Sequence, residues 1–101
     1  MVKRKVIWSD DAIDDLNYYC GEIGRESFSV AKKVRSVILA TAKELSNFPY
    51  MYQLEEHFLS NKGDIRRFFC WSYRVVYQVQ EKKVVILNVI HTRMNPEIIS
   101  S

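Results

Sequence analysis

The last third of the chain constrains the fold most, because three β-rich runs follow one another there with only short polar breaks between them. In the middle run the residue types alternate, so Tyr73 and Tyr77 fall on one face of a strand, and Arg74 and Gln78 fall on the other. Polar residues around Lys82 mark the turn into the last run. The pattern predicts a three-stranded antiparallel meander.

Basic side chains recur near the ends of these predicted strands: Arg66 or Arg67, Arg74, His91 and Arg93. A meander that brings them together offers a surface to a polyanion or an acidic protein, because a guanidinium is a planar fork for phosphate or carboxylate. An ordinary soluble sheet with a basic edge is the alternative.

A strand and a first helix are predicted ahead of the meander. The β-propensity of residues 3–8 indicates a strand. Ser9 is the predicted N-cap of the helix, since Asp10 and Asp11 follow it where the helix dipole favours negative charge. Gly24 marks the predicted end. Apolar residues at spacings of three and four form its predicted buried stripe: Ile13, Leu16, Cys20 and Ile23.

A second helix is predicted over residues 27–45, and Pro49 prevents its continuation. Its predicted apolar stripe consists of Val30, Val34, Val37, Ile38, Thr41 and Leu45. Two helices joined by a short link form an antiparallel hairpin that packs on a sheet. Residues 49–63 have no clear period and are predicted to be a loop. The expected fold class is therefore α+β, with an N-terminal strand, a helix hairpin and an antiparallel sheet.

Size and composition limit what else the chain contains. A length of 101 residues leaves room for one domain, spanning residues 1–101. The net charge of +3 is too small to imply nucleic-acid binding by itself. With no signal-like start, Cys20 and Cys70 are predicted to be free, buried thiols of a cytoplasmic protein; a disulfide or metal pair is the weaker alternative. No apolar run is long enough to cross a membrane.

Five segments carry a resemblance to the RelE/ParE superfamily of bacterial toxins. They are Val6-Ile-Trp-Ser-Asp-Asp-Ala-Ile-Asp-Asp-Leu, Leu45-Ser-Asn-Phe-Pro, Ile65-Arg-Arg-Phe, Tyr73-Arg-Val-Val-Tyr and Val89-Ile-His-Thr-Arg. Their order matches the family order of a strand, two helices and a three-stranded meander. The chain most resembles the ParE branch.

The resemblance bears on Arg74 in particular. In RNA-cleaving members of the superfamily an arginine at this strand position helps to stabilise the phosphate, so the resemblance implies that role for Arg74. The residues alone leave a second possibility open, because a half-buried arginine in a sheet usually has a partner. That partner would be Glu55 or Glu56.

His91 and Arg93 complete the candidate set. A histidine can act as general acid or base near neutral pH, but a strand-end histidine can equally bond the backbone. Arg93 resembles the superfamily's C-terminal basic residue. Cleavage of mRNA requires a proton acceptor, a proton donor and positive charge on the phosphate. Arg74 is the one residue well placed for such a role, so the incomplete set favours the ParE branch.

The resemblance implies a toxin of a type II toxin–antitoxin pair that binds and inhibits DNA gyrase and is neutralised by a cognate antitoxin. A RelE-like mRNA endonuclease acting on the ribosome is the alternative, with Arg74, His91 and Arg93 as its catalytic candidates. A toxin fold without activity is a third possibility. The expected target-binding residues are Arg67, Arg74, His91 and Arg93. The expected antitoxin-binding residues are Tyr50, Met51, Tyr52 and Phe58. No cofactor or metal is implied.

Overall fold

The computed structural model describes residues 3–56 and 61–92. Strand β1 (Lys5–Trp8) is followed by helices α1 (Asp10–Gly24) and α2 (Phe28–Glu44), and then by strands β2 (Gln53–Leu54), β3 (Ile65–Cys70), β4 (Tyr73–Val79) and β5 (Lys83–His91). None of the helices in this part of the chain has the length and apolar character needed to span a bilayer.

Both helices begin at a serine N-cap. The Ser9 hydroxyl accepts a hydrogen bond from the Ala12 backbone N–H at 3.1 Å, and the Ser27 hydroxyl accepts one from that of Val30 at 3.2 Å. Each bond satisfies a backbone donor that has no partner within its own helix. The predicted cap at Ser9 and the predicted extent of the second helix are therefore confirmed.

The five strands form one sheet in the order β1-β5-β4-β3-β2. Strands β3, β4 and β5 form the predicted antiparallel meander. Two features differ from the prediction. Strand β1 pairs with β5 in parallel, so the sheet is mixed rather than antiparallel throughout. The segment predicted to be a loop contains β2, which pairs with the start of β3. A two-residue strand is too short to leave a period in the sequence.

The helices pack on one face of the sheet, and their predicted buried stripes are confirmed in part. The predicted residues that are buried are Leu16, Cys20, Val34, Ile38 and Leu45. In α1, Ala12 is buried and Ile13 is 43% exposed. In α2, Val30 and Val37 are exposed, whereas Ala31 and Ala42 are buried beside Val34 and Ile38. Alanines occupy these positions because a small side chain lets a helix approach its neighbours closely, and a prediction that follows large apolar residues passes over them.

A half-buried carboxylate ties α1 to the last strand. The register of β4 and β5 shifts between Val76 and Tyr77, and the backbone N–H of Val89 nearby donates to Asp15 Oδ2 at 3.0 Å. Burial raises the pKa of Asp15, and the hydrogen bond from Val89 acts in the opposite direction. This contact fixes the helix hairpin over the irregular part of the sheet.

The core contains both cysteines and one tyrosine. Cys20 and Cys70 are free and buried, as predicted, and burial raises the pKa of both thiols. Tyr77 is fully buried, and its hydroxyl donates to the backbone carbonyl oxygen of Pro49 at 2.9 Å. This bond anchors the segment after α2 to the centre of the sheet.

Candidate functional site

The face of the sheet opposite the helices carries a group of residues that we name the arginine cluster: Glu55, Arg67, Phe69 and Arg74. Strand pairing brings them together, because Phe69 of β3 lies opposite Arg74 of β4. Arg67 precedes Phe69 by two residues and therefore projects from the same face. The two guanidinium carbons lie 4.8 Å (Arg67) and 5.0 Å (Arg74) from the centre of the Phe69 ring, a cation–π distance.

Arg74 is ion-paired within this cluster. Its Nη1 donates to Glu55 Oε1 at 2.6 Å, and the side chains are 14% and 0% exposed, respectively. Glu55 follows β2, and its backbone N–H donates to the Ile65 carbonyl at 2.9 Å, which holds the carboxylate beside the sheet. Of the two partners that the sequence left open for Arg74, the structure selects Glu55. The charge of Arg74 is therefore compensated inside the protein.

Arg67 has longer polar contacts than Arg74, although its side chain is only 12% exposed. Its Nη2 lies 3.3 Å from Gln53 Oε1 and 3.9 Å from Glu56 Oε1, and the Glu56 side chain is 63% exposed. A pair with one partner in solvent is weak. Within the described part of the chain the Nε of Arg67 has no hydrogen-bond partner. The half-exposed ring of Phe69 is the part of the cluster that is open to another molecule, and the guanidinium of Arg67 lies beside it.

Arg66 serves a different purpose. Its guanidinium donates to the carbonyl oxygen of Tyr52 at 2.7 Å and lies 4.9 Å from the centre of the Tyr50 ring. It therefore braces the segment between α2 and β2 rather than joining the arginine cluster. Of the alternatives Arg66 and Arg67, only Arg67 is placed with Arg74.

His91 lies on the other face of the sheet from Arg74. In the register of β4 and β5 it pairs with Tyr73, and its ring packs edge-on against the Tyr73 ring at 5.2 Å between centroids. The ring of Tyr19 from α1 lies 6.4 Å away, and its hydroxyl accepts a bond from the His91 backbone N–H. The prediction that the basic residues lie together is thus wrong for His91, because adjacent register positions project to opposite faces. Arg93 lies outside the described residues.

The four predicted antitoxin-binding residues do not share one environment. Tyr50 and Met51 are more than half exposed and border a hollow beside Phe48. Tyr52 packs against the core, with its ring 5.5 Å from that of Phe68, and burial raises its pKa. Phe58 lies outside the described residues.

Two aromatic residues were missed by the sequence reasoning. Phe69 is recognisable only when its strand partner is known, since the sequence does not show that it lies opposite Arg74. Trp71 occupies the turn between β3 and β4 with φ at 51° and is 58% exposed. A signal for Trp71 was available, because a bulky aromatic residue between two β-rich runs is an unusual choice for a turn.

Comparison with known proteins agrees with this architecture. The sequence model of a family described as "ParE toxin of type II toxin-antitoxin system, parDE" matches residues 6–96. The chain is similar to one from the chromosomal ParDE system of P. aeruginosa, with 17% identity, a TM-score of 0.72, and coverage of 90% of this chain and 98% of that one. It is also similar to one from the RelBE2 toxin–antitoxin complex of Mycobacterium tuberculosis, with 20% identity, a TM-score of 0.59, and coverage of 90% and 93%. No curated protein sequence matches.

The fold thus has the architecture of the RelE/ParE toxins, a helix hairpin on one face of a five-stranded sheet. Within that class, the chain belongs to the ParE toxin family of type II toxin–antitoxin systems.

Proposed function

We propose that the chain is a cytoplasmic toxin that binds and inhibits DNA gyrase and is neutralised by a cognate antitoxin. The observation that carries the choice of target is the buried pair of Arg74 and Glu55. An arginine that stabilises a cleaved phosphate must present its charge to the substrate. In this chain the Glu55 carboxylate already accepts a hydrogen bond from Arg74 at 2.6 Å.

The position of His91 supports the same conclusion. Phosphate stabilisation and proton transfer must act on one ribose-phosphate unit, so their side chains must converge. Arg74 and His91 project from opposite faces of the sheet, and the Tyr73 and Tyr19 rings lie against His91. This arrangement favours binding as the mode of toxicity.

We assign target contact to Arg67, His91 and Arg93, and we include Arg74 in the same surface through its contact with the Phe69 ring. Arg67 and Phe69 offer a cation beside an exposed aromatic ring, a combination common at protein interfaces. The guanidinium carbon of Arg74 lies 5.0 Å from the centre of the same ring and helps to fix its position. His91 ends the last strand, and Arg93 follows it by two residues in the sequence; we propose a second contact with the target through these two residues.

We assign the first antitoxin contact to the exposed pair Tyr50 and Met51. Tyr52 supports this segment through its contact with Phe68, and Phe58 is retained as a candidate from the sequence.

The test is controlled expression of the chain in bacteria, with and without the protein encoded by the adjoining open reading frame. We expect growth arrest with filamentation and the DNA-damage response, relieved by the co-expressed partner. Arg67→Glu should weaken toxicity, because reversing a charge at an interface costs more than removing one. Arg25→Glu, on an exposed helix end, is the control for the change in net charge. Immediate arrest of translation without a DNA-damage response would contradict the proposal.

Ribosome-dependent cleavage of mRNA remains the second candidate function. It is favoured by one observation, the pair of guanidinium groups on the Phe69 ring, since cations beside an aromatic ring also suit a nucleotide. Under this alternative, Arg74→Ala would lower the cleavage rate by about a hundredfold or more. Codon-specific mRNA cuts in a translating extract would establish this function.

Variants at the end of the last strand separate the two mechanisms. A contact surface tolerates His91→Gln, whereas an acid–base role does not, because glutamine cannot titrate. Arg93→Glu should be the harsher change if the end binds gyrase. Loss of toxicity in a folded His91→Gln protein, with Arg93→Glu still toxic, would favour the enzyme.

A further inference from the structure

The turn between β3 and β4 retains a residue that its backbone disfavours. Trp71 has φ at 51°, in the left-handed region, which glycine and asparagine adopt readily and in which a residue with a bulky side chain is strained. Its indole is 58% exposed, so the core gains little from it. Strain of this kind is commonly retained where a side chain has a use outside the fold.

A cavity of about 410 Å³ lies beside this indole. The end of α1, the first turns of α2 and the sheet enclose it through the residues Ile23, Val30, Lys33, Val34, Trp71, Ser72, Tyr73 and His91. Its lining is mostly apolar, and the charge on its rim comes from exposed Lys33. No carboxylate stands among the described residues that line it. Such a site suits an apolar side chain from an acidic segment.

We propose that the Trp71 cavity anchors an apolar side chain from an acidic segment of the antitoxin. The proposal rests on the antitoxin partnership in the proposed function and adds the place where the partner binds. Charge selects the occupant, because exposed Lys33 places a positive charge on the rim of a cavity whose described lining holds no carboxylate. Occupation would also cover His91, so the antitoxin would mask one of the assigned target contacts directly.

Trp71→Gly is the informative variant, because glycine relieves the strained backbone while removing the indole. Its denaturation midpoint should equal or exceed that of the wild type. Its affinity for the protein from the adjoining open reading frame, measured by calorimetry, should fall about thirtyfold, the loss typical of an aromatic anchor. Leu39→Ala, an exposed change more than one turn beyond Val34 on α2, should leave the affinity within about threefold.

Charge reversal on the rim gives a matched pair. Lys33 lines the cavity, whereas its neighbour Lys32 lines a separate groove between α1 and α2. Lys33→Glu should weaken the complex about tenfold more than Lys32→Glu, and the difference should shrink at high salt. Equal effects of the two variants would mean that only the overall charge of α2 matters, which would overturn the cavity as the site.

The remaining outcomes are distinct. If the wild-type chain binds the adjoining gene's product and Trp71→Gly binds it equally well, the cavity is not an antitoxin site, although the proposed function stands. If Trp71→Gly binds the antitoxin normally but loses gyrase inhibition, the cavity belongs to the target and the proposal is wrong. If the wild-type chain binds no such protein, both the proposal and the antitoxin part of the proposed function fail.

Discussion

Replacement of Glu55 by alanine is the sharpest test of the arginine cluster. The change removes the carboxylate that receives the Arg74 Nη1 at 2.6 Å and leaves the guanidinium largely buried without that partner. Removing one member of a buried ion pair typically costs about 3–5 kcal/mol. Arg74 is 14% exposed and lies over the Phe69 ring, so some stabilisation survives. We therefore expect a loss near the lower limit, about 3 kcal/mol.

The neighbouring glutamate provides the control. Glu56 lies 3.9 Å from Arg67, and its side chain is 63% exposed. A pair of that kind contributes at most about 1 kcal/mol. Glu56→Ala changes the same charge one residue further along the chain, so it reproduces every effect of net charge. The two variants differ in the partner, the burial and the geometry of the carboxylate that is lost.

Urea denaturation followed by tryptophan fluorescence gives both free energies of unfolding. Glu55→Ala should lower the stability by about 2 kcal/mol more than Glu56→Ala does. The double variant Glu55→Leu/Arg74→Met should recover most of the loss, because an apolar pair can replace a buried ion pair. Equal, small effects of the two alanine variants would refute the burial argument and leave Arg74 available for a phosphate.

Two further predictions concern the contacts that hold the sheet. Asp15→Asn keeps an acceptor for the Val89 N–H. Burial raises the folded-state pKa of Asp15, so the stability that its neutral form contributes is complete below the unfolded-state pKa of about 4. That stability is lost as the pH rises through the folded-state pKa. Stability measured from about pH 3 to pH 7 should thus decline in the wild type relative to the asparagine variant, and a constant difference would contradict this reasoning. Tyr77→Phe should lose about 1–2 kcal/mol in urea denaturation, because it leaves the buried Pro49 carbonyl without its donor, and an unchanged midpoint would contradict that role.

The elements with strong local signals were predictable from the sequence. The serine at the start of α1 and the alternation of Tyr73 and Arg74 are decided by residues within a few positions of one another. The parallel pairing of β1 with β5 joins residues almost eighty positions apart and leaves no local pattern. The buried alanines of α2 escaped detection for a different reason, since what matters there is their small size.

The candidate site was predicted only in part, for the same physical reason. Arg74 and its possible partner Glu55 could be named from residue type, but their contact depends on the chain after β2 returning beside the sheet. The separation of Arg74 from His91 depends on the register of β4 and β5. Register fixes which face each side chain occupies, and a shift of one residue would have exchanged the two faces.

DNA supercoiling by purified gyrase tests the central claim most directly. The chain, added at increasing concentration, should block the supercoiling of relaxed plasmid or accumulate cleaved DNA complexes, and an equimolar amount of antitoxin should restore the reaction. Arg67→Glu should require a higher concentration for the same inhibition, because it reverses the charge beside the half-exposed Phe69 ring. Undiminished supercoiling in the presence of a folded, growth-inhibiting chain, together with cut mRNA on translating ribosomes, would contradict the account.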